Sequence, residues 1–215
     1  MTFSLAGRCP RTGQLGAAVT TSNLAVGSRV PFAEAGVGVV LTQHRTDPRL
    51  GPRGLALLRS GCSAEETIAA LVASTPDHGW RQLAAIDRAG RTAHFHGARV
   101  KPDFGAAHAE GCVAIGNILA NDRVPGAMAE AFAAAPEAPL AERLLRGLEA
   151  GLAAGGEHAP VLSASLVVVH EQSFPLVDLR IDAGEEPIAR LRGLWEAYAP
   201  MAEDFLRRAV APDTV

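Results

Sequence analysis

The chain has 215 residues, enough to bury a substantial core, and no shift in composition divides it, so one globular domain over 1–215 is expected. A net charge of −3 offers no basic stripe to nucleic acid, and no apolar run approaches the ~20 residues that cross a bilayer. Lacking a basic segment followed by an apolar run at its start, the protein is expected in the cytoplasm.

Three short apolar runs come first, at 3–7, 16–21 and 36–42, the first two separated by the turn Pro10-Arg11-Thr12-Gly13. Such runs between turn residues read as strands buried on both faces. Two helices follow. One covers 52–59, with proline near its start and Gly61 past its end. The other opens at Ser63, where Ser63-Ala64-Glu65-Glu66 spells a capping box. Strands return at 82–86 and 92–96 around the hairpin turn Asp87-Arg88-Ala89-Gly90, and again at 112–115. Helices are expected at 125–134 and along the stripe Leu140, Leu144, Leu145, Leu148 and Leu152, which ends at Gly155-Gly156. Two strands, 163–170 and 177–181, precede a terminal helix over about 187–208. That helix turns Leu191, Leu194, Trp195, Tyr198 and Phe205 inward, and Pro200 should kink it. Helix pairs between blocks of antiparallel strands predict an α+β protein of two stacked sheets under helical cover.

Cys9, Cys62 and Cys112 are odd in number and widely spaced, which suits neither a disulfide framework nor a zinc site, and they read as small buried hydrophobes. Lys101 is the only lysine, so positive charge is almost all arginine, the residue of carboxylate and phosphate forks, although a GC-rich coding bias gives the same result. His94 and His96 lie two apart, hence on one strand face. They lack a further ligand at telling spacing, and a solvent-facing strand is the expected reading. Gly36 and Gly38 lack the third glycine and following helix of a dinucleotide fingerprint. Neither metal nor cofactor is expected.

The strings Met1-Thr2-Phe3-Ser4, Leu24-Ala25-Val26-Gly27, Ala35-Gly36-Val37-Gly38, Thr42-Gln43, Gly51-Pro52-Arg53-Gly54-Leu55 and Gly116-Asn117-Ile118-Leu119-Ala120 resemble, in combination and order, those of the DUF1028 family. The resemblance runs from Thr2 to about Leu191. It implies membership of the N-terminal-nucleophile hydrolase superfamily and its four-layer αββα fold, two mostly antiparallel sheets stacked between helices. A weaker resemblance, to proteasomal β subunits, rests on the early threonine, the hairpin, two helices, Leu83-Ala84-Ala85-Ile86-Asp87 and Val113-Ala114-Ile115-Gly116. Two departures stand out. Where the family has an acidic and arginine-containing stretch leading to Gln-Ser-Ala, residues 157–165 read Glu-His-Ala-Pro-Val-Leu-Ser-Ala-Ser, and no lysine lies near the start of the chain.

The implied chemistry is amide hydrolysis. Removal of Met1, plausible before a residue as small as threonine, gives Thr2 both a hydroxyl nucleophile and a free α-amine. An α-amine titrates near ~7.7–8.0 and can serve as the base. Asn23, Asn117 or backbone N–H groups in 24–28 are the candidate oxyanion donors. A cleft should gather Thr2, Asn23, Arg29 and the segment from Gln43 and His44 to Arg53, with Arg29 or Arg53 holding an anionic end of a small-molecule substrate. The loop 42–49 reads equally as pocket wall and as helix cap. Asn117 reads also as a turn residue, and Cys112 as packing. Two other functions stay open: a silent ligand-binding or assembly protein on the same fold, and a non-hydrolase enzyme that does not use Thr2. A homo-oligomer, most simply a dimer, is expected from Trp195, Tyr198 and the apolar share of the chain.

Overall fold

The computed structural model describes residues 1–214. Strands β1 (Thr2–Arg8) and β2 (Leu15–Thr21) form a hairpin, paired from Phe3 opposite Thr20 to Arg8 opposite Leu15. With β7 (Phe104–Ala109), β8 (Cys112–Asn117), β9 (Ser163–Val169) and β10 (Val177–Ile181) they make a sheet of order β10-β9-β2-β1-β8-β7. The second sheet has the order β3-β4-β5-β6, from Pro31–Glu34, Gly38–Gln43, Gln82–Asp87 and Thr92–His96. Every pairing in both sheets is antiparallel.

Strand alternation sorts the side chains of β1 between two environments. Phe3 and Leu5 join Met128, Phe132, Leu144 and Leu148 of α3 (Val124–Ala133) and α4 (Leu140–Ala153). Ala6 instead joins Val19 and Ile115 against Val39, Leu41 and Ile86 of the other sheet. A third cluster sets Val40 and Leu83 of that sheet against α1 (Leu50–Arg59) and α2 (Ala64–Ala73). With both faces covered, the central strands are buried along their length, and their polar residues, among them Ser4, Gln43 and Gln82, are buried with them. Close approach of α4 to β1 depends on Gly147, where a Cβ would come within 2.5 Å of Leu5 Cδ1.

The capping box forms as read: Ser63 Oγ accepts the Glu66 amide at 3.2 Å, and Glu66 Oε2 accepts the Ser63 amide at 2.7 Å. Two strands escaped the sequence reading. β3 is four residues long and starts with proline, and β7, FGAAHA, is built of glycine and alanine without β-branched residues. β4 begins at Gly38 because Gly36, at φ 69°, is still in the preceding turn. The terminal helix divides at Pro200 into α5 (Pro187–Tyr198) and α6 (Ala202–Val210), joined by a 3-10 turn. Its buried stripe is Ile188, Leu191 and Trp195, so Leu194, on the flank, and Phe205, re-aimed beyond the break, are exposed rather than inward. Among the described residues no helix is long and apolar enough to cross a membrane.

Candidate functional site

β1 begins at the end of the hairpin, and the alternation that sends Phe3 toward the helices sends Thr2 and Ser4 toward the second sheet. Directly beside Thr2 a cavity of about 640 Å³ opens. Its walls come from Thr2 and Thr21, from the loop after β2 (Asn23, Arg29), and from His44 and Arg45 after β4, with Lys101 and Met1 completing it. The Met1 carbonyl sits on two hydroxyls, accepting from Thr2 Oγ1 and from Thr21 Oγ1, and these two oxygens lie 3.2 Å apart. The Thr2 hydroxyl therefore already faces a peptide carbonyl, and Thr2 is 7% exposed under it.

The walls hold unusual backbone. Among the described residues five non-glycine positions have left-handed φ, and His44, Arg45 and Ile118 line the cavity while Ala25 lies between two residues that do. Each costs about 1–2 kcal/mol, so the surrounding contacts have to over-determine them. His44 supplies one such contact: Nδ1 meets the Trp80 carbonyl at 2.9 Å and Nε2 accepts the Lys101 amide at 3.2 Å. Burial holds its pKa below the ordinary histidine value. With both ring nitrogens occupied it is a neutral clamp between two loops, not a group free for substrate.

Below Thr2 lies a buried polar network. Gln43 accepts from Ser4 Oγ at 2.7 Å and donates to Gln82 Oε1 at 2.6 Å. Asn117 donates to the same Gln82 oxygen at 2.9 Å, while Gln82 Nε2 reaches the Gly116 carbonyl at 2.7 Å and His96 Nδ1 at 2.8 Å. Gln43, Gln82 and Asn117 are fully buried, so these amides hold the Thr2 end of β1 against β5 and β8 instead of meeting a ligand. Asn117 stands opposite Thr2 in the sheet, but its amide is committed to Gln82 and only Oδ1 lacks a partner.

One further group closes the site from behind. Glu157 is buried, accepts the Ser22 amide at 3.0 Å through Oε2, and has no partner for Oε1. Burial pushes its carboxyl up to about 7, partly offset by the Met1 amine, whose own pKa is lowered by burial. The register of β1 with β8 puts Met1 level with Ile118, and the next place, level with Leu119, is held by Glu157.

Of the residues singled out in the sequence, Thr2, Asn23, Arg29 and His44 line the cavity, and Gln43 and Asn117 lie beneath it. Arg53 does not belong: it lies exposed on α1, its Nη2 bonded to Ser74 Oγ at 2.6 Å. The helix starts at Leu50, so the chain has left the cavity before reaching it. The loop 42–49 is cavity wall through His44, Arg45 and Thr46; Asp47 Oδ1 accepts the Arg49 amide ahead of α1, but no side chain caps that helix. Cys112 is fully buried and its thiol pushed up to about 12, which leaves it unreactive. His94 Nδ1 meets His108 Nε2 at 2.8 Å, and among the described residues no cluster of three His, Cys, Asp or Glu could hold a metal. Thr21, Lys101 and Glu157 carry no site role in the sequence reading. Thr21 was accessible from the hairpin register, Lys101 only through its uniqueness, and Glu157 lies in the divergent segment.

A family described as "Family of unknown function (DUF1028)" matches residues 2–191. Among solved structures, protein SPO2555 from Silicibacter pomeroyi, of family-model DUF1028, is 33% identical, with 92% of this chain and 88% of that one covered and a TM-score of 0.85. Anbu (ancestral beta-subunit) from Yersinia bercovieri is 11% identical over 95% of this chain and 96% of its own, with a TM-score of 0.41. Comparison with curated proteins gives no match.

Proposed function

The chain belongs to the DUF1028 family of unknown function, and on that footing we propose that it is an amidohydrolase of the N-terminal-nucleophile type. In this reading one domain forms a four-layer αββα sandwich, and loss of Met1 frees Thr2 to attack a small linear amide. The observation that carries it is the placement of the Thr2 hydroxyl beneath a peptide carbonyl at the wall of the cavity of about 640 Å³.

The Thr2 α-amine accepts the hydroxyl proton as Oγ1 forms a bond to the amide carbon. Charge then develops on the carbonyl oxygen, where the Thr21 hydroxyl, which now donates to the Met1 carbonyl, is the best-placed donor. Collapse breaks the C–N bond, the ammonium returns its proton to the departing nitrogen, and an ester to Thr2 remains. Water then bonds to the ester carbon and gives a proton to the amine; collapse breaks the C–Oγ1 bond, the ammonium returns its proton to Oγ1, and the acid leaves. Gln43 and Ser4 act as positioning residues.

Intact-mass measurement of the purified protein should show loss of one methionine, and Thr2→Ala should remove amide hydrolysis measured by amine release. Amide hydrolysis with Met1 retained would overturn the assignment of Thr2 as nucleophile, and a processed protein without amidase activity would leave the non-hydrolytic readings of the fold.

A further inference from the structure

Resting on the reading of Thr2 as nucleophile, we propose that the cavity selects amides whose acyl part ends in a carboxylate, held by Lys101 together with Arg29 and Arg45. Three cations from three separate loops line one space, and none of the described residues lining it is acidic. The protein as a whole carries −3, and its one lysine is among the three. The concentration of positive charge at this place runs against the balance of the chain.

None of the three is neutralised. Arg29, Arg45 and Lys101 enter no ion pair among the described residues. The nearest acid in sequence to Arg45, Asp47, is turned away to Arg49 at 2.8 Å and Arg81 at 4.0 Å. Glu157 is buried beside the Ser22 amide, outside the cavity wall.

The cations are also set in place before any ligand arrives. Arg29 Nη1 is tied to the Leu24 and Ala25 carbonyls, which fixes the guanidinium plane and leaves its other N–H groups for an anion. Arg45 lies over the Trp80 ring at 5.0 Å, and the Lys101 backbone is pinned by His44. Left-handed backbone at Arg45 holds its loop in that attitude. Met1, which brings a carbonyl to the Thr2 hydroxyl, lines the same cavity, so an acyl group bonded there shares its space with the three charges. A carboxylate on the acyl part, unlike one on the departing amine, stays bound through both bond changes and keeps the ester aligned for water.

The test uses the processed full-length protein and two anilides of equal chain length, glutaryl-p-nitroanilide and pentanoyl-p-nitroanilide. A charge-assisted contact predicts a kcat/KM ratio on the order of 100 in favour of the glutaryl compound. Lys101→Met and Arg45→Gln should each collapse that ratio toward one, and both positions are exposed, so folding is not at stake. Equal rates for the two anilides would overturn carboxylate selection while leaving the nucleophile assignment intact. Binding is read separately in Thr2→Ala, where glutarate should raise the melting temperature and lose that effect when Lys101→Met is added. If neither anilide is cleaved, the nucleophile assignment fails, and this glutarate shift alone decides the anion site. Inorganic phosphate protecting as well as glutarate would overturn the choice of carboxylate.

Discussion

The Glu157 carboxyl receives one hydrogen bond, from the Ser22 amide, and its second oxygen is buried without a partner. Burial raises its folded pKa from 4.5 to about 7, so between those values the folded protein holds a proton that the unfolded chain has released. Its contribution to stability is therefore present below pH 4.5 and lost as pH rises toward 7. With Met1 in place, Glu157→Gln should match the wild type most closely near pH 4 and gain on it toward pH 8, as melting temperatures across that range would show. No difference in the pH slope would mean that water reaches the carboxyl. At Thr2, replacement by alanine should cost about 1–2 kcal/mol, because a buried methyl group is lost with the hydroxyl contacts; urea unfolding measures this. How readable these residues are from the sequence follows from how each is brought to the site. Thr2 and Thr21 belong to one hairpin, and local register joins them. Lys101, between β6 and β7, and Glu157, between α4 and β9, lie in irregular connections whose geometry no local pattern encodes.

Gln82 ties β5 to β8 and β6 through its side chain, meeting Gln43, Asn117, the Gly116 carbonyl and His96. Gln82→Leu would leave several of these buried groups unpaired at about 1–3 kcal/mol each, a loss of roughly 3 kcal/mol or more in chemical denaturation. Little change in the denaturation midpoint would mean that the amides rearrange among themselves. At the open edges of the two sheets, β6 and β7 are joined by His94 and His108. Burial lowers the pKa of both and takes His96 from 6.5 to about 4, helped by the charge of His94. Their neutral forms favour the fold, so this support is complete above pH 6.5 and weakens as the imidazoles take up protons below it, the His96 share being lost as pH falls through 4. Hydrogen exchange should show β6 and β7 losing protection over that window before β1 does. The sequence conveyed β5, β6 and β10 almost to the residue because apolar runs and turn residues mark them. It hid β7, whose strand character comes from the neighbour it pairs with, an instance of tertiary context overriding propensity.

Considered as a whole molecule, the terminal helices turn their best anchors inward. Trp195 Nε1 donates to Glu142 at 3.0 Å and Tyr198 donates to the Leu176 carbonyl at 3.0 Å. Leu194, Met201, Phe205 and Val210 remain exposed along α5 and α6. These four, not the aromatic anchors, are what a homo-oligomer would cover. Light scattering at micromolar concentration should give a dimer mass, and Phe205→Glu with Leu194→Glu should return it to that of a monomer. A monomeric wild type would refute this. The stacking of two antiparallel sheets was legible in the order of elements, since paired helices twice interrupt the strands and each sheet needs cover.

The place held by Glu157 at the head of β1 bears on how the protein is handled in the laboratory. A purification tag fused ahead of Met1 would have to pass where Glu157 meets Leu119. It would also keep the Thr2 nitrogen in a peptide bond. With Thr2 as the proposed nucleophile, preparations carrying such a fusion would look inert in any amidase screen whatever the substrate, so the affinity handle belongs after α6, beyond the exposed residues 212–214.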